Sequence, residues 1–309
     1  MEQLLAQIPQ QLVNGLTLGS VYALVALGYS MVYGILQLLN FAHGDVYMVG
    51  AFIGFGVISA LLPASGPLLP AALIILLMLL AAMLGCGFLG IAIEWFAYRP
   101  LRNAPRIAPL ISALGVSFLL QNGIQLTLTA SYRIYHTQDL IPLEAGIDLG
   151  PTHVSAVRML VILSAVLMMV GLTYLVRGTA LGRAMRAVAL DREAAAMMGV
   201  DVDRVITFTF FIGSALAGAA GVLTGLVFTR VWHTMGFFTG LKGFTAAVVG
   251  GIGNIPGAML GGMLLGLIEA FVIGFISPTF KETITFFVLI LFLLIRPRGL
   301  LGASAAQKV

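Results

Sequence analysis

Long apolar runs separated by short polar stretches set the pattern of this chain. Between Glu2 and Asp45, and again between Asp45 and Glu94, more than 40 residues pass without a charge. A helix crossing a bilayer needs about 20 mostly apolar residues, so each run holds two passes, or one pass plus a broken segment. Pro63, Gly66, Pro67 and Pro70 divide the second run, because such residues end one helix and start another. Uncharged runs follow between Arg106 and Arg133, Arg158 and Arg177, Arg204 and Arg230, and Lys242 and Glu269, each near one span in length. A last apolar run, 283–295, is long enough if Lys281 and Glu282 lie at its interfacial end. The pattern predicts an all-α polytopic membrane helical bundle. About eight transmembrane segments are expected, with up to two broken or re-entrant half-helices.

Two regions carry the breaks. Residues 243–271 are apolar but interrupted by Gly250, Gly251, Gly253, Asn254, Pro256 and Gly257. Residues 34–56 follow the same plan, with a small polar break from Asn40 through His43 and Gly44 to Asp45. Interrupted hydrophobic segments at corresponding places point to a substrate path, since half-helix N-termini leave amides free for anionic groups. The alternative is a buried interface at which glycine permits close approach. Glycines four apart, at 15 and 19, 50 and 54, 221 and 225, 257 and 261, and 262 and 266, predict tight helix packing.

Composition agrees with the pattern. Hydrophobic residues make up 60% and charged residues 9%, with a mean hydropathy of +1.06, against about 25% charged in a soluble domain. Soluble and disordered chains are excluded. The single Cys86 excludes an internal disulfide and a Cys-rich metal site. No Lys follows a Gly, which excludes a phosphate-binding P-loop. The start, MEQLLAQIPQQ, lacks a basic region and carries Glu2, so a cleaved signal is not expected and the first helix is kept. The net charge of +4 sits between apolar runs and orients them, in place of binding nucleic acid. Arg99, Arg102 and Arg106, then Arg177, Arg183, Arg186, Arg192 and Arg204, then Arg296, Arg298 and Lys308 mark cytoplasmic segments. The stretch 131–157, with Asp139, Glu144, Asp148, Pro142 and Pro151, is expected outside. Arg204 and the C-terminal cluster share a side only if the chain between them crosses an even number of times, which requires a short broken element before the helix at 257–275.

Few residues offer chemistry. The four His show no metal-ligand spacing, and His43 beside Asp45 is better suited to freed backbone groups than to a metal. Glu269 is an acid inside a span with no basic residue within ten positions. It reads as a contact for a substrate amine, a proton or a partner Arg, or as a neutral acid bonded between helices or near a helix end. Arg158 and Arg230 stand at span ends and snorkel to the interface, and Trp232 suits the outer one. Between 176 and 205, Asp191 is a candidate N-cap, Glu193 favours the positive helix end, Ala194 to Ala196 propagate it, and Gly199 stops it. Met197 and Met198 are adaptable apolar knobs for a partner's groove; alone, the segment also fits a helix lying on anionic lipid.

The run EAAAMMG, from Glu193, is similar to the E-A-A-x-x-x-G loop by which permease subunits of bacterial ABC importers grip their ATPases. Joined with NGLTLGSVYALVALGYSMVYGILQLLNFAHGD, EWFAYRPLR, GLKGFTAAVVGGIGNIPGAMLGG and the closing RPRGLLG, it makes the chain resemble the LivH-type branched-chain amino acid permease family over nearly its whole length. The resemblance implies a single non-catalytic permease domain over 1–309 in the bacterial inner membrane, with a cytoplasmic coupling loop at 177–204 and a periplasmic loop at 131–157. It implies a LivM-like second permease, two ATPase subunits that bind the ATP and Mg, a periplasmic amino-acid-binding protein, and surrounding lipid, with no cofactor on this chain. Coupling carries over to Arg186, Asp191, Glu193, Ala194, Ala195, Met197 and Gly199. The pattern departs after Gly199, where Val205 and Ile206 are not followed by Leu-Pro. A permease for other amino acids, amides, urea or ribose-type sugars is the nearest alternative. A channel lacks its Asn-Pro-Ala box in Asn40-Phe41-Ala42 and Asn254-Ile255-Pro256, and a proton-coupled transporter would use Glu269 or Asp45 as carrier.

Overall fold

The computed structural model describes residues 2–302 except 64, 65, 103, 106, 129, 143, 150 and 151, so Arg106, Pro151 and Lys308 lie outside the described residues. The first apolar run forms one long helix, α1 (Glu2–Leu36), and a break, the second of the two arrangements expected for it. After residues 37–42 come α2 (His43–Leu61) and α3 (Ala71–Ile93), the latter started by Pro70 in extended conformation and continued through a wide turn to Leu101. Next is α4 (Ile107–Thr127). The connection that follows carries β1 (Arg133–Ile134), the single turn α5 (Thr137–Leu140), and a hairpin of β2 (Gly146–Leu149) and β3 (Thr152–Ser155). It leads into α6 (Ala156–Gly178), then the short α7 (Ala180–Leu190) and α8 (Arg192–Met197). The long α9 (Val202–Phe228) is followed by β4 (Arg230–Val231), which pairs with β1. The chain closes with α10 (Met235–Gly250), α11 (Ile255–Phe275) and α12 (Lys281–Ile295).

The fold class is therefore all-α, as the pattern predicts. Among the described residues eight helical segments are long and apolar enough to cross a membrane. The ninth element, α10, has 16 residues, about 24 Å at 1.5 Å per residue, short of a hydrocarbon core of about 30 Å. It is the broken element that charge parity requires. Counted as a crossing, it would put 94–102, 177–204 and 296–298 on one side and the 128–155 connection on the other.

The first break differs from expectation. Helix α1 stops at Leu36, and Gln37 takes a left-handed backbone (φ 54°). Asn40 O accepts from His43 N at 3.1 Å and Ala42 O from Val46 N at 3.0 Å, so the next helix has already begun at His43. The break is thus residues 37–42, and His43, Gly44 and Asp45 form the first turn of α2. Nothing in Gln37 itself, which is neither Gly nor Pro, announces this.

Helices α1 and α9 are mostly buried, whereas α4, α6 and α12 turn large apolar side chains outward. Lipid tails are as apolar as leucine, so close backbone approach holds such helices together. On α1, Gly15 lies on Leu267 and Gly19 on Met263; a Cβ on Gly266 would collide with Gly19, and one on Gly262 with Ala23. The two helices run antiparallel, since Gly34 near the end of α1 faces Gly253 before α11. Gly50 of α2 sits against Gly218 of α9 in the same manner. Arg158 of α6 donates to Asn14 Oδ1 at 2.5 Å, which places the start of α1 beside that of α6.

Candidate functional site

The first turn of α2 lies inside the protein. His43 and Asp45 are each 1% exposed, and Asn40 is 3%. The Asp45 carboxylate accepts from Ser117 Oγ and, at 3.1 Å, from Gln121 Nε2, two residues four apart on one face of α4. The His43 ring meets Tyr29 edge-on at 4.7 Å, and its Nε2 and the Asn40 Oδ1 have no hydrogen-bond partner. Gly44 packs against the backbone of Gly236 and Gly240. Among the described residues, no group of three or more His, Cys, Asp or Glu is placed to hold a metal ion.

The second break is an elbow. Helix α10 ends at Gly250, and Gly251 and Gly253 take φ of 106° and 87°, which side-chain-bearing residues rarely adopt. Asn254 restarts the chain as the N-cap of α11, accepting from Gly257 N at 3.2 Å, with Pro256 in the first turn. Gly257 packs on Gly250, and Gly253 N donates to Ser30 Oγ at 2.9 Å. The closing segment binds the elbow: Leu300 N donates to Val249 O at 2.8 Å and Leu301 N to Gly250 O at 3.0 Å. A cleft of about 420 Å³ beside the elbow is lined by Tyr33, Gln37, Arg177, Arg186 and Asn254.

The pathway residues taken from the sequence therefore fall in three places. The Asn40–Asp45 group and the Gly250–Gly257 group lie at opposite ends of α10, whose start touches Gly44 and whose end touches Gly257. Glu269 belongs to neither; it lines a separate cavity and is paired with Lys242 at 2.8 Å, 27 positions earlier.

Near the end of α1, α8 has the form its residues predict. Asp191 Oδ1 accepts from Glu193 N at 3.0 Å and Ala194 N at 3.1 Å. Gly199 (φ 83°) closes the helix with Gly199 N on Ala196 O and Val200 N on Ala195 O, both at 3.0 Å. Ala195 is buried, while Met197 and Met198 are 82% and 84% exposed. Arg186 of α7 donates to Val176 O. Arg192 reaches back to the end of α1, donating to Ile35 O at 2.7 Å. Burial, and then the neighbouring Arg102, hold its guanidinium below the usual arginine range.

One group escaped the sequence reading. Glu94, 1% exposed, pairs with Arg102 and accepts from Thr207 Oγ1 at 3.1 Å. Arg102 also pairs with Asp203, which meets Arg99 at 2.5 Å. The cluster ties the end of α3 to the start of α9 beside α8. An acid followed by two arginines at a span end is a visible signal for its first half, but Asp203 stands about a hundred positions away.

Residues 11–294 match the family described as the permease component of branched-chain amino acid transport systems. The chain is 43% identical, over 97% of both sequences, to the high-affinity branched-chain amino acid transport system permease protein LivH of Escherichia coli K12. It is 42% identical to that of Salmonella typhimurium and 43% identical to BraD of Pseudomonas aeruginosa, again over 97% of both sequences. With eight apolar helices fit to span, it is a multi-pass inner-membrane protein. A family match over 11–294, and identity to permease relatives over 97% of both sequences, mean that the chain belongs to the branched-chain amino acid transport permease family.

Proposed function

We propose that this chain is a non-catalytic permease subunit of an ABC importer that moves leucine, isoleucine and valine inward, using ATP and Mg bound by two partner ATPases. A second, LivM-like permease completes the pore, and a periplasmic binding protein delivers the substrate. The whole chain acts as one permease domain, with residues 177–204 as its coupling loop and 131–157 as its outer loop. The observation that carries the reading is α8: a helix capped at both ends, presenting Met197 and Met198 to solvent. Exposed, flexible apolar side chains on a rigid turn suit a groove on a soluble partner.

Closure of the ATPases pushes α8. Arg192 passes that displacement to the end of α1 through Ile35 O, and residues 37–42 pass it to the buried first turn of α2. Helix α10 links that turn to the glycine elbow, so a small shift at the cytoplasmic face alters both breaks together. The experiment is uptake of labelled amino acids, amides and sugars into vesicles holding this chain, its permease partner, both ATPases and binding protein. Leucine, isoleucine and valine should be accumulated with ATP inside. Glu193→Arg or Gly199→Arg should abolish ATPase stimulation by loaded binding protein; full stimulation would overturn the coupling role.

A further inference from the structure

The outer half of the bundle holds a charge group that coupling does not use. Lys242, on the short α10, is 6% exposed and lies 2.8 Å from Glu269 Oε1 and 3.2 Å from Glu282 Oε1. The Tyr22 hydroxyl donates to Glu269 Oε2 at 2.9 Å, which leaves that carboxylate satisfied. Glu282 Oε2, shielded from solvent, has no hydrogen-bond partner. An ammonium carries three N–H donors; one on Lys242 goes to Glu269 Oε1, and Glu282 Oε1 at 3.2 Å is its second charge partner. An open acceptor on Glu282 and an ammonium with donors to spare on Lys242 thus belong to one ion pair. Both face a cavity of about 400 Å³, within the usual size of small-ligand sites at about 300–1,000 Å³. Arg230 and Trp232 also line it, and Leu18, Val21 and Ile273 supply apolar surface.

An unpaired carboxylate oxygen shut away from water is costly unless something completes it. A lone cation would leave the Lys242 donor open, and a lone anion would leave Glu282. We propose that this cavity is an outer receiving site for an amino-acid zwitterion, its ammonium on Glu282, its carboxylate on Lys242 and Arg230, and its aliphatic side chain on the apolar wall. The assignment rests on the reading that the chain carries amino acids, and it adds where on the outer side one is first held.

The test uses the complete transporter in vesicles, with Thr239→Cys or Phe238→Cys as reporters, both residues lining the cavity. The native Cys86 is fully buried and stays silent. Leucine uptake by each reporter variant is measured first, because a preparation with no uptake of any amino acid refutes the transport reading itself. Maleimide labelling is then timed with leucine, with 4-methylpentanoate, which lacks the ammonium, and with isopentylamine, which lacks the carboxylate. Leucine should slow labelling and the two analogues should not. Adding Glu282→Gln should raise the half-protecting leucine concentration about tenfold or more, as expected for loss of one charged hydrogen bond. In a preparation that takes up leucine, protection by both analogues equal to that by leucine, protection unaltered by Glu282→Gln, no protection, or no labelling at either reporter would each overturn the site.

Discussion

Arg192 joins α8 to the end of α1 by a bond to a helix-end carbonyl. Such carbonyls have no partner within their own helix, and a guanidinium is the natural completion. Replacing it by Met keeps the aliphatic stem but removes a charged hydrogen bond worth about 1.5–3 kcal/mol. Arg192→Met should therefore leave the ATPases bound, as judged by co-purification, and lower leucine uptake by about tenfold. Arg192→Lys should recover part of the loss. Uptake unchanged in the Met variant would show that α8 acts on the bundle elsewhere. Nearby, Glu94 is buried against Arg102, and Glu94→Ala would leave that guanidinium without one of its two acids. Breaking a buried pair from one side costs about 3–5 kcal/mol, which a thermal melt of the purified complex should register as a lower midpoint.

At the scale of elements, glycine spacing decides which helices touch. Gly266→Leu on α11 must displace α1, since even a methyl there meets the Gly19 backbone, and overpacking of this kind costs about 1–3 kcal/mol or more. Gly115→Leu on α4 is the comparison, because nothing lies within 4 Å of its added Cβ. The first should lower the melting midpoint in detergent and the second should not. The helices themselves were legible in the sequence, because a bilayer demands unbroken apolar length and charges are confined to the ends. So was the cap of α8, whose signals lie within nine residues. The pairings were not. Lys242 meets Glu269 and Glu282 from three different helices, and Asp203 meets arginines that precede it by about a hundred positions; contacts of this range leave no local pattern. The start of α2 was misplaced for another reason, since the left-handed turn falls on Gln37, a residue with no turn preference.

For the whole molecule, the eight spanning helices described, with α10 counted as a ninth pass, would put the start of α1 and the end of α12 on opposite sides. A single cysteine at Gln7 or Asp139 should react with a membrane-impermeant thiol reagent added outside intact cells, and one at Met198 only after the membrane is opened. Labelling of the Gln7 position from inside alone would reverse the order of α1 relative to the loop at 131–157. Lys242 adds a consequence for how the protein is made. A lysine at mid-helix opposes insertion by about 2.5–3.5 kcal/mol, and α10 is too short to offset this alone. Both of its partners are synthesised later, on α11 and α12. While the ribosome is still adding those helices, α10 has no counter-charge, so it is the segment expected to wait at the insertion machinery and to enter the bilayer in company with α11 and α12.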